Sequence, residues 1–150
     1  MGERAERAVA QLAAERTETL RMLLSIDDAA CRAPIEWYGR KQSVGHMLRQ
    51  FTSHALDHFQ HLHRLLQARG RTITEAQLLM MKAEAAQAEF TALVRSLSDE
   101  EFTAGGPNEG DWSAEQILEH VIERERRYRD AIRDALAQPR QEGAPARSER

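Results

Sequence analysis

Five of the six histidines of the chain lie within one segment, residues 43–67. Two of them, His54 and His58, are four residues apart, a spacing that places them about one turn from each other on a helix. Two neutral imidazoles at this spacing can share one divalent metal ion. His58 also falls within the apolar stripe of the predicted helix, where an imidazole without a partner costs free energy. We therefore interpret His54 and His58 as a candidate metal-binding pair.

Four long amphipathic helices are predicted to position this pair. They cover residues 3–25, 43–69, 74–97 and 113–137. Apolar residues recur at helical spacing in each, and the histidine helix ends at Gly70, a residue suited to the left-handed cap. Thr74 with Gln77 and Ser113 with Gln116 each match the capping box that opens a helix.

Residues 27–42 connect the first two helices. The segment is long for a helix–helix connection, contains Pro34 and Gly39, and shows no strand pattern, so we expect an irregular loop. Loops of this length often cover a site. Trp37 and Tyr38 lie in this connection, and two roles stay open for them: they cover the mouth of a cavity or they seal the loop.

The helix pattern predicts an all-α fold, a four-helix bundle over residues 1–137 with a long connection between helices 1 and 2. The third and fourth helices repeat the first two at a distance of about 70 residues. We therefore expect two pseudo-symmetric helical hairpins. The polar residues 138–150 are predicted to form a disordered tail.

Composition excludes several classes of protein. The net charge is −3 and arginine alternates with glutamate, which argues against a nucleic-acid-binding surface. No apolar run reaches membrane-spanning length, and no signal peptide is visible. Cys31 is the only cysteine, so a reducing compartment fits, and we expect a cytoplasmic protein without membrane contact. Cys31 itself is interpreted as a small buried apolar residue.

The internal repeat links the histidine pair to the fourth helix. Aligning the two halves on Ser43 and Ser113, which begin equivalent helices, pairs Gln50 with His120, His54 with Arg124, and His58 with Tyr128. In a pseudo-symmetric bundle these six side chains would surround one cavity. His54, His58 and His120 would then leave coordination positions of a metal open, as a catalytic metal requires.

Two stretches resemble a known family. DWSAEQILEHVIERERRY, from Asp111 to Tyr128, and HALDHFQHL, from His54 to Leu62, are similar to the two kinds of ligand-bearing helix in the DinB-like (damage-inducible) four-helix-bundle family. The resemblance extends up to Ala137. It implies a divalent metal held by His120 as the single ligand and by His54 and His58 as the His-x3-His pair. The order of these ligands along the chain is the reverse of the family's.

The resemblance also implies an activity. Relatives of this family are S-transferases and isomerases that use bacillithiol or mycothiol, bound to the metal as the thiolate. It implies a small-molecule substrate, and three imidazoles suit Zn, Ni or Fe. Arg124 would pair with a carboxylate of the cofactor or substrate, and Gln50 and Tyr128 would orient it by hydrogen bonds. His61 is assigned to the second shell or to a fourth ligand position, and no general base is identifiable.

Other functions remain open or are excluded by residues. A catalytically inactive, dimeric four-helix-bundle binding or stress-response module is the alternative, with or without metal. Exposed apolar surface on the first or third helix would favour a homodimer in either case. A ferritin-like di-iron protein is excluded because the chain contains no Glu-x-x-His motif.

Three further residues receive structural interpretations. His46 and His63 are expected to point away from the candidate site and to be solvated. Trp112 is expected to pack against Ile117 as the hydrophobic staple of the fourth helix.

Overall fold

The computed structural model describes residues 2–137, and most of them are helical. The elements are α1 (Glu3–Leu23), α2 (Asp28–Arg32), β1 (Pro34–Trp37), β2 (Arg40–Ser43), α3 (Val44–Ala68), α4 (Glu75–Arg95), α5 (Asp99–Thr103) and α6 (Ala114–Ala137). Among these residues no helix combines the length and the apolar character needed to cross a bilayer. The predominantly helical prediction is confirmed. The bundle arrangement stays a prediction, and the predicted tail lies outside the described residues.

The described residues form two units, the first ending at Ser96 and the second beginning at Leu97. In the first unit, α2 and β2 pack against α3, and half-buried apolar side chains gather at the end of α1, in α2 and in the first turn of α3. In the second unit, α5 packs against α6. Within residues 2–137, Ser113 at the start of α6 is the one fully buried residue, 5% exposed.

Local hydrogen bonds determine where α3 begins and ends. Ser43 accepts a hydrogen bond at its Oγ from the backbone N–H of His46, 3.1 Å away. At the other end, the N–H of Gly70 donates to the carbonyl of Gln67, and the N–H of Arg71 donates to that of Leu66. With Gly70 at φ +68°, these two bonds form a Schellman motif, which ends the helix where the sequence predicts it.

The two predicted capping boxes are both confirmed. At the start of α4, Thr74 and Gln77 exchange hydrogen bonds of 3.0 and 3.2 Å between side chain and backbone. At the start of α6, Ser113 and Gln116 do the same at 2.9 and 3.2 Å. Each box satisfies two backbone N–H groups that a helix start leaves without an intrahelical partner.

The short helix α5 begins with a capping box that includes a carboxylate. The backbone N–H of Ser98 donates to Glu101 Oε2 at 2.7 Å, and the backbone N–H of Glu101 donates to Ser98 Oγ at 3.2 Å. The carboxylate of Glu101 is stabilised by hydrogen bonding to Ser98, first to its backbone N–H and second to its side chain. These interactions lower the pKa of Glu101 below the ordinary 4.5, because hydrogen bonds to a carboxylate favour its charged form.

The connection between α1 and α3 is not the irregular loop that the sequence predicts. It contains helix α2 and an antiparallel hairpin in which Trp37 of β1 pairs with Arg40 of β2. The two residues between them, Tyr38 and Gly39, have φ values of +48° and +71°. Positive φ at both positions characterises the type I′ turn, whose twist matches a hairpin. The expectation of no strands was wrong because a tyrosine occupies the turn position where Asn or Asp usually marks such a hairpin.

Candidate metal site

The structure brings His54 and His58 together on α3. Their Nε2 atoms are 3.1 Å apart, and their rings meet edge to face with centroids 4.4 Å apart. Two nitrogens separated by 3.1 Å, each about 2.1 Å from one ion, subtend about 95° at that ion, close to adjacent positions of an octahedron. As a hydrogen bond, this contact requires that one Nε2 carries a proton and donates the N–H to the other. The separation of the two nitrogens therefore suits two adjacent coordination positions of one divalent metal.

His61 extends this pair by a further turn of α3. Its ring is stacked on that of His58, with centroids 6.3 Å apart and planes 27° apart. All residues from Phe51 to His61 are exposed, so the inward orientation expected for His58 is not found in this unit. The physical reason is that the apolar stripe next to it is itself uncovered, Leu62 being 54% exposed.

Gln50 lies one turn before His54, and its amide is already engaged. Its Nε2 is 3.2 Å from Nε2 of His46, and its Oε1 accepts a hydrogen bond from Ser53 Oγ at 3.4 Å. A substrate would have to replace these contacts. His46 and His63 are half-buried rather than solvated as expected, because His46 contacts Gln50 and the ring of His63 stacks on Phe59.

The remaining predicted site residues lie on α6 in the second unit. His120 is half-buried, and the indole of Trp112 meets its ring at a centroid distance of 5.1 Å and an interplanar angle of 61°. This contact was not predicted, because it joins residues eight positions apart across the start of a helix, which no helical periodicity relates. Arg124 and Tyr128 follow at intervals of one turn, and Tyr128 is 62% exposed.

The three histidines predicted as ligands are thus described as a pair in the first unit and a single residue in the second. Among residues 2–137, no group of three or more His, Cys, Asp or Glu side chains is placed to hold one ion. The geometry supports a metal site at the pair His54–His58, and His120 as a third ligand stays a prediction.

A cavity of about 290 Å³ lies elsewhere in the first unit, between the ends of α1 and α4. Leu20, Arg21, Leu24, Ser25 and Arg95 are among the residues that line it. It contains none of the predicted site residues. Both arginines lie in the last turn of their helices, where a cation interacts favourably with the helix dipole, so their position has a structural explanation.

Comparison with known protein families gives a match in the second half of the chain. Residues 83–150, less than half of its length, match the family described as the Mycothiol maleylpyruvate isomerase N-terminal domain, a DinB-like four-helix family related to mycothiol-dependent enzymes. The DinB-like resemblance is confirmed for these residues, and for the stretch from His54 to Leu62 it stays a prediction. Neither the curated proteins nor the solved structures give a match to this chain.

The extent of the DinB-like match separates the two parts of the candidate site. It covers most of α4, all of α5 and α6, and so includes Trp112, His120, Arg124 and Tyr128. The pair His54–His58 precedes the matched residues and rests on its own geometry.

Proposed function

We propose that the protein is a divalent-metal-dependent enzyme of the DinB-like type, in which His54, His58 and His120 hold the ion. The observation that carries this proposal is the distance of 3.1 Å between the Nε2 atoms of His54 and His58. The match of residues 83–150 to a family named after a mycothiol-dependent isomerase supports a thiol-dependent S-transferase or isomerase reaction. The predicted four-helix bundle and a cytoplasmic location are part of the same proposal.

The histidines of α3 would perform two tasks. For both Nε2 atoms to hold the ion, the ring that carries its proton on Nε2 would have to carry it on Nδ1 instead, and His61 would limit the rotation of His58 through its stacked ring. A bound Zn²⁺, Ni²⁺ or Fe²⁺ would supply the positive charge that lowers the pKa of a thiol or a water molecule and yields a nucleophile at neutral pH.

Arg124, Tyr128 and Gln50 would bind the substrate or the thiol cofactor. Among the described residues Arg124 forms no ion pair, whereas Arg127 on the same helix pairs with Glu123. A guanidinium without a carboxylate partner suits a carboxylate of the incoming molecule. The phenol of Tyr128 and the amide of Gln50 would add hydrogen bonds.

Metal binding by histidine variants tests this proposal. Untagged protein is reconstituted with Zn²⁺, Ni²⁺ or Fe²⁺, and bound metal is measured by elemental mass spectrometry and calorimetry. We expect near-stoichiometric metal in the wild type. His54→Ala, His58→Ala and His120→Ala should each weaken binding by more than the roughly 10- to 100-fold that loss of an outer-shell partner typically costs.

His63→Ala is the matched control, because His63 lies on the same helix but stacks on Phe59. It should bind metal like the wild type. A wild type that binds none of the three ions would overturn the enzyme proposal, and unchanged binding by His120→Ala would exclude that residue from the ligand set.

The second candidate function, a dimeric binding module, is supported by exposed apolar side chains on α1 and α4. Val9 and Leu12 on α1 are exposed, and residues 78–81 of α4 are four consecutive apolar residues, with Leu79 and Met80 63% and 64% exposed. A helix that is apolar all round is normally covered on several sides. A homodimer would provide that cover, whether or not the protein is an enzyme.

Sedimentation analysis of surface variants tests the homodimer. Leu79→Lys and Met80→Lys should convert a dimeric wild type into a monomer, because a buried lysine without a partner disfavours the interface. Gln87→Lys adds the same charge at an exposed polar position of α4 and should remain dimeric. A monomeric wild type would overturn the proposed homodimer and with it the dimeric binding module.

A further inference from the structure

Trp112 packs its indole against His120 instead of inside a hydrophobic core. It is 53% exposed, and the imidazole of His120 lies in an edge-to-face arrangement 5.1 Å from it. Such geometry is favoured between aromatic rings because the positive edge of one meets the negative face of the other. The large side chain therefore covers one side of the histidine.

The loop before Trp112 is held in place by its neighbour Asp111. Asp111 Oδ2 accepts hydrogen bonds from the backbone N–H and from Nδ2 of Asn108, at 3.0 and 2.8 Å. The chain at Gly106 passes so close that a Cβ there would lie 2.4 Å from the Cβ of Asp111. Glycine is needed at this position for the loop to close on Asp111.

The residue after Trp112 is held equally firmly. Ser113 is buried and exchanges two hydrogen bonds with Gln116 in the capping box of α6. The backbone is thus fixed by hydrogen bonds on both sides of Trp112, and the start of α6 is fixed with it. The point of attachment of the indole is therefore fixed relative to α6, and from there the indole meets the ring of His120.

We infer that Trp112 is a positioning residue that holds the imidazole of His120 in one orientation. A histidine on an otherwise open helix surface exchanges between rotamers, and ordering it for a ligand costs conformational entropy. The indole removes this cost in advance by restricting the ring. That this restriction favours metal binding rests on the proposed function, in which His120 is a metal ligand.

The orientation is tested first without metal, by NMR of the histidine ring protons. The indole ring current should shift the His120 ring resonances, and Trp112→Ala should return them to the values of a freely rotating histidine. Trp112→Leu should do the same while keeping apolar bulk, which preserves the test if the alanine variant does not fold. Trp37→Phe is the control, because Trp37 meets the ring of Tyr38 edge to face in the hairpin, and it should leave His120 unchanged. Unchanged His120 resonances in Trp112→Leu would overturn the inference.

The consequence for binding is tested with Co²⁺. The Trp37→Phe variant contains Trp112 as its single tryptophan, and its fluorescence should be quenched by Co²⁺ unless His120 is also replaced. Calorimetry should give about twofold to tenfold weaker Co²⁺ binding for Trp112→Leu and near wild-type binding for Trp112→Phe, the range expected for one aromatic pair. Equal affinity of the leucine variant and the wild type would overturn the positioning role. A wild type that binds neither Co²⁺ nor any of Zn²⁺, Ni²⁺ and Fe²⁺ would instead overturn the proposed function, and the metal-free NMR result would then decide this inference alone.

Discussion

The starts of α3 and α6 use the same residue type in different surroundings. Ser43 accepts one hydrogen bond, from His46, and the preceding residues are held by the β1–β2 hairpin. Ser113 forms two hydrogen bonds with Gln116 and is buried. It follows a loop in which Asp111 accepts a hydrogen bond from the backbone of Asn108. Where a strand already fixes the chain a single cap bond is enough, whereas a helix that follows a loop is fixed by a reciprocal pair.

The same contrast applies to the histidines that each helix presents. His54 and His58 orient each other, because helical spacing alone brings their Nε2 atoms to 3.1 Å. His120 has no such neighbour on α6, and Trp112 from outside the helix takes that role. Helical periodicity thus orients the pair, and the loop in front of α6 orients the single histidine.

The largest expected effect comes from adding a methyl group at Gly106, in the loop that precedes α6. In Gly106→Ala, the new Cβ would lie 2.4 Å from Cβ and 2.8 Å from Oδ2 of Asp111, so the loop must open. We expect the free energy of unfolding to fall by about 1–3 kcal/mol, measured by urea denaturation. Gly105→Ala is the control, because its Cβ would make an ordinary contact of 3.6 Å with the Asp111 carbonyl, and should stay within about 0.5 kcal/mol of the wild type. Equal losses in both variants would contradict this account of the loop.

The two serine caps should differ in what their loss costs. Ser113→Ala removes one partner of a buried, reciprocal cap and should lower the free energy of unfolding by about 1–2 kcal/mol, whereas Ser43→Ala should cost about 0.5–1 kcal/mol. Urea denaturation of both variants provides the measurement. Ser53→Ala, an exposed serine within α3 that donates to the Arg49 carbonyl, should have almost no effect. A larger loss of unfolding free energy in Ser43→Ala than in Ser113→Ala would contradict this contrast between the two helix starts.

A smaller, stabilising effect is expected in the hairpin before α3. Tyr38 has φ +48°, a conformation that Asn adopts more easily than an aromatic residue. Tyr38→Asn should raise the free energy of unfolding by about 0.5 kcal/mol even though it loses the edge-to-face contact with Trp37. Thermal unfolding should show a Tm higher by about 1–2 °C. A lower Tm would mean that the aromatic contact outweighs the backbone strain.

The smallest effect concerns pH and the capping box of α5. The pKa of Glu101 is lowered by its hydrogen bonds with Ser98, so its contribution to stability is fully present above the unfolded value and is lost as pH falls through the folded value. Glu101→Gln should therefore flatten the loss of stability measured by urea denaturation between about pH 5 and pH 3.

The uncharged box at the start of α4 provides the reciprocal test. Gln77→Glu would give that box the same carboxylate and should make the loss of stability in acid steeper. Identical pH profiles for the wild type and Glu101→Gln would show that the carboxylate of Glu101 makes no contribution to the pH dependence.

The elements that the sequence predicts well are those that local interactions determine. The four long helices follow from apolar periodicity, and the boxes at Thr74 and Ser113 follow from residues three positions apart. The hairpin escaped prediction because the turn contains Tyr38 in place of a residue that commonly adopts positive φ. The short helix α2 escaped because five residues are too few to show a period.

In the candidate site, too, the features set by local spacing were predicted and those set by tertiary packing were not. The approach of His54 and His58 is a local property of one helix and was predicted. The exposure of His58 and the contact between Trp112 and His120 depend on how an apolar face is covered and on the path of a loop, and neither follows from spacing. The inclusion of His120 with the pair requires packing between helices that are far apart in the sequence, for which no short pattern exists.

The exposed pair on α3 also has a consequence for how the protein is handled. Two imidazoles one helical turn apart on an accessible surface form a small chelating group, so the untagged chain should itself be retained on an immobilised nickel column. Nickel measured after such a column does not distinguish metal taken from the resin from metal bound in the cell. Purification by ion exchange, in buffers depleted of metal, is therefore the route by which the native metal content can be learned.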